Sequence, residues 1–443
     1  MTPNISSSLR RIVLRGLVAG TILAGATVGL TPVYAAEKAS SQTTAEGFSA
    51  KRLQRIRTAI QAEVNADRTP GAVVIIARNG KIAYADAIGF QDKAAGKLLK
   101  RDAIFPAYSM TKPLVSVVTM MLVEEGKLQL ADPVSKFFPA FAKMQVLANP
   151  ADPDSTTVPA TRQILVHDLL RHTSGLSYAE FTRYQSLKNA YIAAGLFSNE
   201  IPALWSTLTP EQQVEAFAKA PLLWQPGSTW EYSLSVDLLG RVLEKVSGKH
   251  LGVLLEEKLL GPLGMRDTSF MVPQSKVKRM AQPLAKDPIT GQPNVAMLDF
   301  TQPHGNDSGG AGIATTADDY LKFCQMMLNG GSYQGHRYLS RTTVALMTSD
   351  HLGPKVATPL QPGELLIGSQ GYTFGLGFMV RQGQGMANVP GSEGDYGWAG
   401  VAGTFFWIDP KEHLIGILMT QAPGQIRPYH RRLMRQLTYQ ALE

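Results

Sequence analysis

The chain has 443 residues, 44% of them hydrophobic and 18% charged. That length and apolar share are enough to bury a large core, which excludes a disordered polyelectrolyte. The formal charge of +8 falls to +5 once Arg10, Arg11 and Arg15 are set aside, since residues 1–35 hold no acid, and the remaining basic residues are scattered, so no nucleic-acid partner is expected.

In chain order, the three arginines precede an apolar run from Gly16 to Leu30 and a small-residue site, Val33-Tyr34-Ala35. This is the pattern of a secretory signal peptide over 1–35, with the chain continuing from Ala36. The apolar run is shorter than the ~20 residues a membrane span needs, so no stable span is expected after cleavage, and the expected location is secreted, in the periplasm. The pair Arg10-Arg11 fits either general or twin-arginine export. With Cys324 as the single cysteine, no internal disulfide is available, and stability must come from the core.

Residues 36–46 are small and polar and read as a flexible leader to one domain over 47–443. Leu53, Ile56, Ile60 and Val64 recur at helical spacing. Gly71 to Ala77 and Lys81 to Ile88 read as strands joined by the hairpin dipeptide Asn79-Gly80. From about 109 to 290 the pattern is mainly helical with long loops. Strands return at Tyr372 to Val380, Gly403 to Ile408 and Leu414 to Met419, before a closing helix from Arg427 to Leu442. On that helix His430, Arg431, Arg432 and Arg435 read as a solvated polar face. The expected fold is α+β, an antiparallel sheet built from both chain ends (47–108 and about 291–443) with a mainly helical region inserted.

Chemistry concentrates in Ala107-Tyr108-Ser109-Met110-Thr111-Lys112-Pro113. At a helix start, residues three apart share a face, so the Lys112 amine can reach the Ser109 hydroxyl. A serine hydroxyl is a poor nucleophile until a base takes its proton, and burial and the positive end of a helix both disfavour a charged amine. Leu114 to Leu122 is mostly apolar, as a buried helix requires, and Pro113 fits its first turn. A second Ser-x-x-Lys at Ser275 and Lys278 lies in a charged segment and reads as a solvated face.

Tyr232, in Trp230-Glu231-Tyr232-Ser233-Leu234-Ser235, is a candidate proton relay, with a core aromatic as the plain alternative. Trp398-Ala399-Gly400 enters a strand, and its small residues would let backbone approach a ligand. Along with these run Asp132-Pro133-Val134, His172-Thr173-Ser174-Gly175-Leu176, Ser308-Gly309-Gly310-Ala311-Gly312 and Phe374-Gly375-Leu376-Gly377-Phe378. In this order the segments resemble the serine β-lactamase-like superfamily related to class C β-lactamases, and especially the family VIII carboxylesterases.

The resemblance implies Ser109 as nucleophile, Lys112 as its activating partner and Tyr232 as relay, with an oxyanion hole from the backbone N–H groups of Ser109 and Val401. It implies substrate contacts at Leu234, Trp398, Ala399 and Gly400. Leu234 stands where β-lactamases of this type carry an asparagine, and Trp398 where they carry a lysine that would pair with a substrate carboxylate. Both changes favour a small neutral ester as substrate. No metal or cofactor is expected, and the oligomeric state is open.

Other readings stay in play. Weak β-lactamase, D-amino-acid peptidase or acyltransferase activity would use the same centre, whereas a non-catalytic acyl-binding or wall-sensing protein would not need it. His167, Asp168 and His172 lie close together, yet no Gly-x-Ser-x-Gly elbow is present. Ser174 is therefore read as capping backbone, and Tyr191, Ile192, Leu196 and Phe197 as either an apolar mouth or a buried helix face.

Overall fold

The structure is a computed structural model that describes residues 46–294 and 296–443. The expected signal peptide, and the expected leader up to residue 45, lie outside the described residues.

Helix α1 (Ala50–Asn65) starts at Ser49, whose side chain accepts the Arg52 N–H, and buries Leu53, Ile56, Ile60 and Val64. The chain then forms β1 (Gly71–Arg78) and β2 (Lys81–Asp92) around Asn79 and Gly80, both at positive φ, as the tight hairpin requires. After β3 (Lys97–Leu98), β4 (Phe105–Tyr108) leads into the buried helix α2 (Thr111–Glu124). The helical region that follows includes α3 (Ser235–Ser247) and ends at the short strand β5 (Ile313–Thr315), which pairs with β4. Helix α4 (Ala317–Leu328), capped by Thr316, packs on the sheet.

The last third returns to strands: β6 (Tyr372–Phe374), β7 (Met379–Arg381), β8 (Tyr396–Ala399), β9 (Phe405–Asp409) and β10 (Leu414–Thr420), then helix α5 (Arg427–Tyr439). The main sheet has the order β6-β7-β8-β9-β10-β1-β2-β3 and is antiparallel throughout. Its central seam joins the two chain ends, with Ala72 opposite Thr420 and Arg78 opposite Leu414. This is the α+β architecture expected from the pattern of elements. Strand β1 is buried from Gly71 to Ala77, which explains its unbroken apolar run.

Two expectations change. The stretch from Tyr372 to Val380 is not one strand but a hairpin, reversing at Gly375-Leu376-Gly377 with Gly377 at φ +93°. A Cβ there would come within 2.3 Å of Ser116 Oγ on α2, so the turn also needs glycine to approach the helix. The basic residues of α5 are not a solvated face: His430, Arg431 and Arg435 are buried, and only Arg432 of that group keeps partial exposure. They are inside because partners wait there. Arg435 pairs with the buried Asp395 at 2.5 Å, His430 reaches Glu63 at 3.0 Å, and Arg431 donates to the carbonyls of Leu366 and Gly400.

Among the described residues no helix is long and apolar enough to cross a membrane, and no group of three metal-ligating side chains comes together.

Candidate active site

Ser109 follows β4 directly, and the backbone leading to it is firmly held. Tyr108 adopts φ +46°, an uncommon conformation for a residue with a side chain. Thr111 Oγ1 donates to the Tyr108 carbonyl at 2.6 Å and accepts the Ile313 N–H at 3.0 Å. The Tyr108 hydroxyl lies by the backbone of Met297 and Leu298, and its ring meets Phe300 edge-on. The turn that aims Ser109 is thus fixed from three segments.

Lys112 sits in the first turn of α2, 1% exposed. Its Nζ donates to the Gly310 carbonyl at 2.8 Å and to the Tyr178 hydroxyl at 3.0 Å, and stands 3.4 Å from Ser109 Oγ. The Tyr232 hydroxyl donates to Ser109 Oγ at 2.6 Å, making it the nearer of the two proton partners. The Lys112 Nζ lies 4.6 Å from the centre of the Tyr232 ring and 5.4 Å from that of Tyr178. Ser109, Lys112 and Tyr232 therefore meet as the sequence suggested, and a second phenol joins them. Burial holds the Tyr178 hydroxyl well above the ordinary tyrosine range, so it stays a neutral hydrogen-bonding group beside the amine. Tyr178 lies two residues past the motif His172 to Leu176, which was the only signal that could have found it.

The turn after β8 brings Val401 to the same place. A Cβ on Gly400 would sit 2.3 Å from the Ala107 carbonyl oxygen, so this glycine lets the turn rest against the strand that delivers Ser109. Gly400 N–H donates to the Thr404 carbonyl, Gly403 N–H to the Gly400 carbonyl, and Arg431 clamps that carbonyl at 2.6 Å. Val401 and Ser109 line one cavity of about 270 Å³.

That cavity is walled largely by apolar side chains, including Phe181, Trp205, Met297, Leu360 and Leu366. Ala399 and Gly400 line it as expected. Leu234 and Trp398 do not: they are 1% and 0% exposed, outside the lining, with the Trp398 ring packed behind Tyr232 at 5.4 Å. The expected contact of these two side chains with substrate is thereby corrected; Trp398 supports the phenol instead. Tyr191 and Leu196 are likewise buried away from the cavity, the helix-face alternative. The lining also includes Arg427, whose Nε donates to the Gly424 carbonyl at 2.6 Å, and Glu231, whose carboxyl burial raises above its usual range.

The competing histidines have structural partners. Asp168 is bound by Arg162 and Arg171, His172 Nδ1 lies 3.1 Å from Ser233 Oγ, and Ser174 accepts the Leu176 N–H. Ser275 and Lys278 are exposed.

A family model described as Beta-lactamase matches residues 56–439. The chain belongs to the beta-lactamase family. Among curated relatives, Protein Rv1367c of Mycobacterium tuberculosis is 34% identical over 378 residues, covering 82% of this chain and 89% of the relative. Esterase EstB of Burkholderia gladioli is 29% identical over 401 residues, covering 86% and 94%. Among solved structures, EstCE1, described as a hydrolase with promiscuous acyltransferase activity, aligns with a TM-score of 0.69 at 28% identity over 88% of this chain and 97% of that one. Within the beta-lactamase family, this chain is a serine hydrolase.

Removing one hydroxyl at a time separates the phenols. Tyr232→Phe is expected to lower kcat by about 10²–10⁴, the usual worth of a positioned proton-transfer group, and Tyr178→Phe by less, since Tyr178 touches Lys112 and not Ser109. Steady-state kinetics on a chromogenic ester check the order, and equal losses would refute it.

Proposed function

We propose that the protein is an exported carboxylesterase that acts on neutral esters through an acyl-enzyme on Ser109. The observation that carries this reading is the Tyr232 hydroxyl at 2.6 Å and the Lys112 amine at 3.4 Å from Ser109 Oγ in an apolar cavity. As the Oγ–carbon bond forms, the Ser109 proton passes to the Tyr232–Lys112 pair, and the carbonyl electrons move onto oxygen. The N–H groups of Ser109 and Val401 receive that oxyanion, each worth about 10²–10³ in rate. The carbon–oxygen bond to the alcohol then breaks, and the alkoxide takes the proton back through Tyr232. Water attacks the acyl-enzyme, returning Ser109 and releasing the acid. Export rests on the basic, apolar and small-residue order of residues 1–35.

Arg427 supports a second reading. Its guanidinium is a cationic group in the cavity wall, suited to a carboxylate on the substrate. The two are separated by hydrolysis rates for p-nitrophenyl esters with and without a carboxylate on the acyl chain, beside a chromogenic cephalosporin. Preference for uncharged acyl chains supports the first reading. Preference for the charged ester, lost in Arg427→Met, supports the second, and preference for the cephalosporin overturns the esterase assignment.

A further inference from the structure

Asp237, at the start of α3, is a buried carboxyl that the chemistry above leaves unused. It is 0% exposed. Its Oδ1 accepts the Ser308 hydroxyl at 2.5 Å and the Gly310 N–H at 3.2 Å, while Oδ2 has no hydrogen-bond partner. Gly310 faces both ways, because its carbonyl is the oxygen that accepts from Lys112 Nζ at 2.8 Å. One residue thus stands between a buried carboxylate and the amine beside Ser109.

The approach is possible only without side chains. A Cβ on Gly310 would lie 2.2 Å from Asp237 Oδ2, and one on Gly309 would lie 2.3 Å from the Val236 carbonyl oxygen. The segment Ser308-Gly309-Gly310 is therefore built to seat this carboxyl. A buried carboxylate with a free oxygen is strongly disfavoured unless a cation offsets it. The charged or titratable groups around it are Lys112 on α2, Arg241 one turn along α3, and Tyr178 and Glu180 on the loop that follows His172. Arg241 is engaged elsewhere, with Nη2 on the Asp307 carbonyl at 2.7 Å and 3.2 Å from Glu244. Glu180 accepts the Trp205 indole N–H at 3.0 Å, and burial keeps the Tyr178 phenol neutral. Both Lys112 and Arg241 favour the ionised carboxyl, Lys112 the more strongly. Burial raises the Asp237 carboxyl above its usual range, and the Lys112 charge is the largest influence opposing it.

We propose that Asp237 is a positioning residue for Lys112, its carboxylate supplying the counter-charge for the ammonium that forms when Ser109 loses its proton and, through Gly310, keeping that amine aimed at Ser109. This rests on the acyl-enzyme reading. Without the carboxylate the ammonium formed in the reaction loses its counter-charge, so the acid limb of Ser109 reactivity moves to lower pH. The expected move for Asp237→Asn is about one pH unit, the effect of removing a nearby opposite charge, with slower labelling on the plateau. A residue that merely packs would change stability and leave the limb in place.

The test is the pH dependence of Ser109 labelling by a fluorophosphonate, quenched and read by mass, for the wild-type chain, Asp237→Asn and Ser308→Ala. Ser308→Ala removes a hydroxyl that favours the ionised carboxyl, so its limb should move the same way by less. Circular dichroism reports folding. If Asp237→Asn does not fold, Ser308→Ala decides on the same terms. Ser109 labelling with an unmoved limb overturns the role of Asp237 alone. A wild-type chain that never labels at Ser109 overturns the acyl-enzyme reading and this inference with it.

Discussion

Ser109→Ala is expected to abolish the proposed ester turnover, by a factor of at least about 10⁴, and to leave the fold intact. The size follows from the arrangement: Tyr232 and Lys112 both reach the Ser109 hydroxyl oxygen, and the Val401 turn lines the same cavity. The fold survives because Ser109 lies between β4 and α2 and is held through its backbone, with the Lys112 N–H on its carbonyl at 3.2 Å. Turnover of p-nitrophenyl esters and the thermal melting curve check the two halves. Full activity in a folded variant would sink the assignment of Ser109.

The second large effect concerns stability. Asp395→Ala is expected to cost about 3–5 kcal/mol, the usual consequence of stranding buried charge. Asp395 and Arg435 are both 0% exposed, joined at 2.5 and 3.1 Å, and Arg381 approaches the same carboxylate at 3.6 Å. Removing the carboxylate leaves two buried guanidiniums without their acid. Arg435→Met should cost less, because Arg381 still balances Asp395. Urea unfolding of the two variants gives the order, and a larger loss for Arg435→Met would contradict it. Asp395→Ala should also slow turnover, since α5 carries Arg431, which clamps the Gly400 carbonyl beside Val401.

Legibility in the sequence followed the range of the interactions. Ser109 and Lys112 could be read because their relation is local, three residues across a helix start, and α1 and the first hairpin because apolar spacing and Asn79-Gly80 are local too. Tyr232 came from ordered motifs, not from spacing. Tyr178 escaped because the motif just before it, His172 to Leu176, does not say which nearby side chain meets a partner 66 residues away. Leu234 and Trp398 were misplaced for a related reason: their positions along the chain were matched, but the facing of a side chain, just before α3 for Leu234 and in β8 for Trp398, depends on what packs behind it. The basic residues of α5 were read as solvated because charge on a helix usually is, and their partners Asp395, Gly400 and Glu63 come from other elements.

The seam between β1 and β10 has a consequence for the order of folding. Thr420 Oγ1 donates to the Gly71 carbonyl across 349 residues of chain, so the centre of the sheet is a contact between the first-made and last-made parts of the domain. Such long-range pairing closes slowly and cannot begin before synthesis is almost complete. Ser109 and Lys112 emerge early, but the turn bearing Val401 and the helix that clamps it emerge last. A growing chain therefore carries Ser109 before Val401 can join it, and under the proposed mechanism reactivity switches on only when the whole domain has condensed.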